Sequence, residues 1–321
     1  MKHLRIILIA AITLLLTACS FNSKEPISKT GFFFDTVITI SIYDSKDNEL
    51  LDNCFSMCEE FEKQISRTIE TSEISKINNA NGMSVSVSDS TLELLKKGIA
   101  YGELTNGAFD ITVAPLSELW NFKNNTGNVP AEDAITEALS HVNYKKIVIE
   151  GNTVTLTDPD AAIDLGGIAK GYIADKLKEY LLSKDVKSAL INLGGNILTI
   201  GEKPDSTPFQ IGIQKPFDEQ NKTITSVSVK DSSVVTSGSY ERYFKVNDTI
   251  YHHILNTQTG KPCSNELLSV TILSESSVDG DALSTACFAL GLEDGQALID
   301  SLENIEAIFL TKDYKIIDTR K

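Results

Sequence analysis

Apolar positions along the chain recur with a period of two in some stretches and near 3.6 in others, which predicts an α+β alternation without an internal repeat. Residues 32–43 alternate and are rich in β-branched side chains, hence a strand. Residues 48–66 have helical spacing, with Leu51, Cys54, Phe55, Cys58, Phe61 and Ile65 on one stripe. A short helix over 73–79 and a longer one over 90–105 follow, the latter stopping near Asn106-Gly107. A polar loop over 121–130 leads into a helix over 131–142, and 146–150 with 153–157 reads as a hairpin turning at Gly151-Asn152. Next come a helix over 168–183 and strands over 188–192, 197–200, 209–214, 223–230, 234–237 and 243–246. The stretch 268–273 is a buried strand, 279–290 a helix capped by Gly291, and 305–310 with 315–317 a closing hairpin.

The first residues break this alternation. Lys2, His3 and Arg5 precede an apolar run over 6–16, too short to span a bilayer but of secretory-signal length. It ends in Leu16-Thr17-Ala18-Cys19, which resembles the lipobox of bacterial lipoproteins. That resemblance implies cleavage before Cys19 and a diacylglycerol on its thiol. The expected organisation is a signal peptide over 1–18, a lipid-anchored tether over 19–30, polar and containing Pro26, and one folded domain over 31–321. The protein is then exported and held at the outer face of the cytoplasmic membrane, since nothing downstream is apolar enough to span.

Charge narrows the partners. The net charge is −15, and loss of Lys2 and Arg5 with the signal takes it to about −17. So acidic a surface excludes nucleic acid as a partner, because phosphate backbones select basic patches. With 41% apolar residues the chain can bury a large core. Cys54 and Cys58 read as small core residues, and no cysteine spacing suggests a metal site or a disulfide framework.

Two segments carry candidate chemistry. In Asp279-Gly-Asp281-Ala-Leu-Ser-Thr285-Ala a carboxylate and a hydroxyl lie four residues apart on the first turn of a helix, a spacing of oxygen ligands that suits a hard cation. Asp164-Leu-Gly-Gly-Ile-Ala-Lys-Gly171 reads as strand end, glycine turn and helix start, backbone that lets a phosphate approach closely. Together they suggest a metal-assisted diphosphate site. The plainer alternative is that Asp281 caps the helix while Thr285 packs, although Asp279 holds the better capping position. Of the histidines, His3 leaves with the signal and His141 ends a helix in a polar, surface-like region. His252 and His253 point to opposite faces of a strand. No GxGxxG fingerprint follows a strand, and Gly166-Gly167 is too short for a Walker A loop.

A resemblance draws these segments together. Ser72-Glu-Ile-Ser-Lys-Ile-Asn78, Gly107-Ala-Phe-Asp-Ile-Thr-Val-Ala-Pro115, Asp164 to Tyr172, Asn192-Leu-Gly-Gly-Asn196, Thr236-Ser-Gly-Ser-Tyr-Glu-Arg-Tyr243, His253-Ile-Leu-Asn-Thr-Gln-Thr-Gly260 and Asp281-Ala-Leu-Ser-Thr285 resemble, in this order, the motifs of the ApbE-type FAD:protein FMN transferases. The likeness runs over nearly all of the chain beyond the tether, and it makes 31–321 a flavin transferase catalytic domain. It implies an α+β fold with mixed or antiparallel sheets covered by helices, and an FAD cleft between two lobes. It implies transfer of the FMN half of FAD, through a phosphoester, to a Thr or Ser of an exported acceptor protein, with release of AMP.

The same resemblance assigns residues. Asp281, Thr285 and the backbone at Gly167 are expected to hold Mg²⁺, whose sparse protein ligation suits so few donors. His253 is expected to take the proton of the acceptor hydroxyl, near its unperturbed pKa, with His252 left at the surface. FAD contacts are expected at Ala108, Phe109, Asp110, Asp164 and Ile254. Gly194, Gly195, Ser237 and Gly238 would give close backbone approach, and Lys170 would face a phosphate. Plainer readings stand beside these: Phe109 as a core aromatic, the glycine pair as a simple turn, Lys170 as a solvated side chain. Two positions depart from the family pattern, Thr68 where an aromatic commonly stacks on the flavin and Asn256 where Asp is common. An FAD-binding carrier lipoprotein and a metal-dependent FAD pyrophosphatase are the competing functions. The histidine favours chemistry over carriage, and the nucleophile stays open.

Overall fold

A computed structural model describes residues 25–124, 127–218 and 222–320. The expected signal, Cys19 and most of the tether lie outside the described residues. Strand β1 (Ile27–Phe33) starts inside the span expected as tether, because Ile27 to Thr30 pair with β2 (Thr36–Ile42). These two replace the single strand expected over 32–43: Phe34 and Asp35 take left-handed backbone, φ 53° and 59°, and fold the chain back.

The remaining elements, in chain order, are α1 (Asn48–Ile65), α2 (Glu73–Asn78), β3 (Val85–Ser86), α3 (Asp89–Leu104), α4 (Ala114–Trp120), α5 (Glu132–Ser140), β4 (Ile147–Glu150), β5 (Thr153–Leu156) and α6 (Ala169–Ser183). After them come β6 (Ser188–Leu193), β7 (Asn196–Gly201), β8 (Phe209–Gln214), β9 (Thr223–Val229), β10 (Ser233–Gly238), β11 (Tyr243–Val246) and β12 (Thr249–His252). The last are β13 (Leu267–Ser274), α7 (Ser277–Leu290), α8 (Leu292–Asp300), β14 (Glu306–Thr311) and β15 (Ile316–Asp318). Sequence patterning missed β3, α4, β12 and α8. Helix α4 is short, with Pro115 in its first turn and no side-chain cap, and α8 follows α7 at once, set off by Gly291 at φ 86°. No helix of the described residues is long and apolar enough to cross a membrane.

Eight strands form one sheet in the order β1-β2-β6-β7-β10-β13-β14-β15, and every ladder is antiparallel. One face carries α1, α6 and α7. Ile38, Ile40 and Ile42 of β2, Ile191 and Leu193 of β6, and Leu198 and Ile200 of β7 bury there against Leu51, Cys54, Ile173 and Leu177. The expected core role of Cys54 and Cys58 holds: both are free, buried thiols, pushed up to about 12 by that burial. On the opposite face the β8–β9 hairpin lays Phe209, Ile211 and Val227 over Val234, Leu273 and Ile308. The β11–β12 ribbon packs Phe244 with Trp120, Ile135 and Leu255, and Trp120 Nε1 donates to the Gly260 carbonyl at 2.7 Å.

Two details prepare the site. The ladder between β7 and β10 has only the pairs Leu198–Ser233 and Ile197–Val234. Continuing that register sets the Gly194-Gly195 turn level with Thr236 and Ser237, at the end where the strands part. On the covered face α6 and α7 meet at Gly171, where an added β-carbon would stand 2.3 Å from the Ser277 carbonyl oxygen. Asp175 of α6 then caps α7, accepting from the amides of Ser277 at 2.7 Å and Val278 at 2.9 Å and from the Ser276 hydroxyl at 2.8 Å. Burial pushes the Asp175 carboxyl up despite these bonds. Asp279 does not fill the capping role expected of it. It accepts the Tyr101 hydroxyl instead, because a carboxylate from the neighbouring helix already holds the free amides.

Replacing Gly171 with Ala forces these backbones apart, so Gly171→Ala should destabilise the fold by about 2–3 kcal/mol in urea unfolding, the cost of overpacking a close contact.

Candidate active site

The pinned helix pair fixes the first functional side chain. Asp281, on α7 and 4% exposed, accepts the Gly171 amide on Oδ2 at 2.9 Å. Its Oδ1 faces the Lys170 ammonium at 4.0 Å, and Lys170 also donates to the Gly166 carbonyl at 3.2 Å. One helical turn on, Thr285 Oγ1 lies 3.1 Å from Ser237 Oγ at the end of β10. Ser237 Oγ is also 2.8 Å from Ser284 Oγ, whose hydroxyl donates to the Asp281 carbonyl at 3.0 Å. Gly167 closes the group, since a β-carbon there would sit 3.6 Å from Thr285 Oγ1 and 3.2 Å from the Phe109 ring. Asp281, Thr285, Ser237, Gly167 and Lys170 thus converge from three segments that are distant in sequence.

This donor set fits a small hard cation: one carboxylate oxygen with no hydrogen-bond donor on it, a hydroxyl and neighbouring backbone, all oxygen. The ammonium of Lys170 supplies positive charge beside that oxygen.

The histidines are both enclosed. His252, expected at the surface, is 6% exposed, with Nε2 3.0 Å from the Cys263 carbonyl and its ring edge-on to Phe288 at 5.3 Å. Only this end of the ribbon face is covered, by Phe288 of α7. Burial pushes its pKa down to about 4. His253 follows at the ribbon's end, its amide donating to the Arg242 carbonyl at 3.1 Å. Its Nδ1 is sealed without a partner. Burial above all, then Arg242, His252 and Lys170, holds its pKa down to about 3, not near the unperturbed value expected. Lys170 therefore acts on both the histidine and Asp281. Glu241 completes the ring of charge: it meets solvent yet lies deep among protein atoms, which pushes its carboxyl up, with Asp281 adding to the effect against Lys170 and Arg242.

The other expected nucleotide contacts divide. Asp164 sits at the head of the glycine loop, its Oδ1 accepting the Gly166 amide at 2.8 Å. Gly194 and Gly195 form an exposed turn with φ of 64° and 92°, the second amide donating to Asn192 Oδ1 at 2.9 Å. Gly238 is buried beneath the Tyr240 ring. Ala108 is half-buried, and its loop is tied to the histidine segment by the Thr257 hydroxyl donating to the Gly107 carbonyl at 2.5 Å. Ile254 is buried with Cys263 and Leu267. Phe109 is a core ring, 5% exposed and edge-on to Tyr101 at 6.1 Å. Both oxygens of Asp110 are engaged inside the protein, by the Thr112 amide and hydroxyl at 2.7 and 2.6 Å and the Tyr144 amide at 2.8 Å. Its carboxylate braces the loop from within, which leaves the backbone of this segment as what a nucleotide could meet.

One residue of the site escaped sequence reading. Arg67 reaches across from the end of α1, Nε 3.0 Å from Asp164 Oδ2 and a terminal nitrogen 2.9 Å from Glu118. It immediately precedes Thr68, which is exposed and bonded only locally to Ser66. A lone arginine outside any motif gives no signal in one sequence. His141, expected at the surface, is half-buried against Asp158 at 2.9 Å, and Asp160 lies near. Lys146 already occupies that carboxylate at 2.6 Å, which makes this an ion-pair knot. Two open hollows, of about 500 and 470 Å³, touch none of the site residues.

An oxygen-lined cation pocket at a helix crossing, a glycine loop leading into a helix, and an enclosed histidine define a nucleotide-handling site of the phosphoryl-transfer type. A profile of the ApbE family matches residues 34–309. The chain is 38% identical over 293 residues to an FAD:protein FMN transferase of Klebsiella pneumoniae, covering 90% of each chain. It is 32% identical over 309 residues to one of Treponema pallidum, covering 90% of this chain and 85% of that one. Among solved structures, the ApbE protein of Thermotoga maritima superposes with a TM-score of 0.85 at 33% identity, over 92% of this chain and 97% of that one. The flavin transferase ApbE of Vibrio cholerae gives 0.82 at 29% identity, with the same coverage. The chain belongs to the ApbE family.

Two measurements check this geometry. In Arg67→Ala the glycine loop loses its outer brace, so Mg²⁺ affinity should fall about tenfold while stability changes by less than about 1 kcal/mol. Lysine should not restore it, having one point charge where a fork meets two carboxylates. Because His252 and His253 are depressed, the unfolded chain binds more protons below about pH 6.5, and the stability they contribute is lost as pH falls toward 4 and 3. Proton NMR should find both rings neutral at pH 5; protonation of both at pH 6 would contradict the burial described.

Proposed function

We propose that this protein is a metal-dependent FAD:protein FMN transferase. Its substrates are FAD and a hydroxyl-bearing segment of an exported protein. The observation that carries the reading is the convergence of Asp281, Thr285, Ser237 and Gly167 beside Lys170, with His253 on the adjoining ribbon.

In this reading the acceptor hydroxyl oxygen bonds to the FMN-side phosphorus, the bond from that phosphorus to the bridging oxygen breaks, and AMP leaves. His253 Nε2 takes the hydroxyl proton; a sealed Nδ1 that carries the ring's own hydrogen keeps Nε2 free to accept. So depressed a histidine is a weak base in the open cleft. Arrival of a dianionic diphosphate beside Lys170 and Arg242 offsets part of the positive field that depresses it. Asp281, Thr285 and the backbone at Gly167 hold Mg²⁺, which when bound neutralises developing charge on the diphosphate oxygens. Asp164, braced by Arg67, sets the loop on which Gly167 sits, and the Gly194-Gly195 turn with Ser237 and Gly238 leaves room for backbone approach to the nucleotide.

The cellular placement belongs to the same proposal. The chain is exported, and a lipid on Cys19 tethers it to the outer face of the cytoplasmic membrane. The described fold starts at Ile27, a short way along the chain from that cysteine. The acceptor is then another protein of the same compartment.

The reading is tested by incubating the soluble domain with FAD, Mg²⁺ and an acceptor, and following acceptor mass and AMP together. An acceptor gaining the mass of FMN less water, with AMP in equal amount, is the expected outcome. FMN and AMP released without labelled acceptor point to a pyrophosphatase, and unchanged FAD to a carrier. Asp281→Asn should lower turnover at least about a hundredfold, with Mg²⁺ binding lost in calorimetry.

A further inference from the structure

Beside the site the surface carries an aromatic feature that transfer chemistry alone does not use. Phe217 and Tyr243 are each 42% exposed, and their rings meet edge to face at 5.3 Å. Phe217 takes left-handed backbone, φ 57°, a strained conformation for a bulky residue that keeps its ring against the ribbon. Its other neighbour is Tyr240, at 6.1 Å, whose ring covers Gly238 of the site. The patch is therefore continuous with the pocket wall.

The ribbon supplies direction and charge. In β11 the side chains alternate, Phe244 inward and Tyr243 and Lys245 outward. Tyr243 pairs with His252, so the aromatic end of the ribbon is also the end from which His253 emerges, its amide held by the Arg242 carbonyl. Arg242 and Lys245 are exposed and, among the described residues, salt-bridged to no carboxylate. In a chain of net charge −15, Lys245 without a salt bridge beside exposed aromatic rings offers a negatively charged partner an attractive contact, while Arg242 serves the cleft.

We propose that the outward face of the β11–β12 ribbon, with Phe217 against it, docks the acceptor polypeptide as an extended segment whose apolar side chains cover Phe217 and Tyr243 and whose acidic residues meet Lys245, leading its hydroxyl to His253. This rests on the transferase reading and names the partner surface it needs. Exposed aromatic rings make good anchors because they bury large area at little entropic cost, and the charges set approach and register.

The probes are two synthetic peptides, each with one central Thr among Leu residues, flanked by Asp in one and by Lys in the other. With FAD and Mg²⁺, the intact domain should label the Asp peptide with a KM at least about tenfold below that of the Lys peptide. Phe217→Ala with Tyr243→Ala should raise the Asp-peptide KM about tenfold or more and leave the KM for FAD unchanged. Lys245→Glu should narrow the gap between the peptides. Circular dichroism and melting confirm that each variant is folded, and Tyr243→Phe, which keeps the ring, should behave as the parent. Equal use of both peptides, or an unaltered peptide KM in the double variant, overturns the dock alone. A raised KM for FAD with the peptide KM unchanged assigns the rings to the dinucleotide and also overturns it. FMN and AMP released with neither peptide labelled, or no turnover of FAD, defeats the transferase reading itself.

Discussion

The contact on which the molecule turns is the hydrogen bond from the Gly171 amide to the Asp281 carboxylate, made where α6 and α7 come closer than any side chain would allow. Only glycine at that crossing lets the two backbones meet. The same approach brings Asp175 under the first turn of α7 to satisfy amides that a buried helix start leaves without partners. One oxygen of Asp281 is thereby spent on structure and the other is aimed. The sheet beneath sets the remaining coordinates: β10 delivers Ser237 to Thr285, and the parting of β7 from β10 opens the sheet at the same level.

Around that contact the electrostatics reverse the character of the chain. The surface as a whole is acidic, yet the cleft gathers Lys170 and Arg242, with Arg67 behind the glycine loop. A dinucleotide is thus repelled by most of the surface and drawn to one place. Enclosure has a second consequence: both neighbouring histidines stay neutral, and Glu241 holds its proton more tightly than an open carboxylate. The groups that handle protons are tuned by surroundings that a list of motifs does not contain.

Much of this was legible beforehand, and what was not has physical causes. Asp281 and Thr285 were readable because helical spacing alone puts them on one face, and Gly166-Gly167 because a glycine pair before a helix implies close backbone approach. The pairing of Asp164 with Arg67 was not, since nothing local marks a partner so far away in sequence. His252 was misjudged for a related reason. Alternation assigns a face to a strand residue, but whether that face meets water depends on what packs there, here Phe288. The cap of α7 by Asp175 instead of Asp279 is likewise a tertiary decision, as is the splitting of the first strand into β1 and β2 at Phe34-Asp35, where no glycine announces a turn.

The strand order has a bearing on how the chain is made. The hairpin β1–β2 has no neighbour in the sheet until Ser188–Leu193 arrives, and β13 to β15 complete the other edge last. Assembly is dominated by pairings between distant stretches, which close slowly compared with helix formation. A polypeptide emerging N-terminus first must keep its opening hairpin waiting until more than half of the chain has been made. Until then Ile38, Ile40 and Ile42 lack the strand and helices that later cover them, and an apolar row stays open to wrong partners during synthesis.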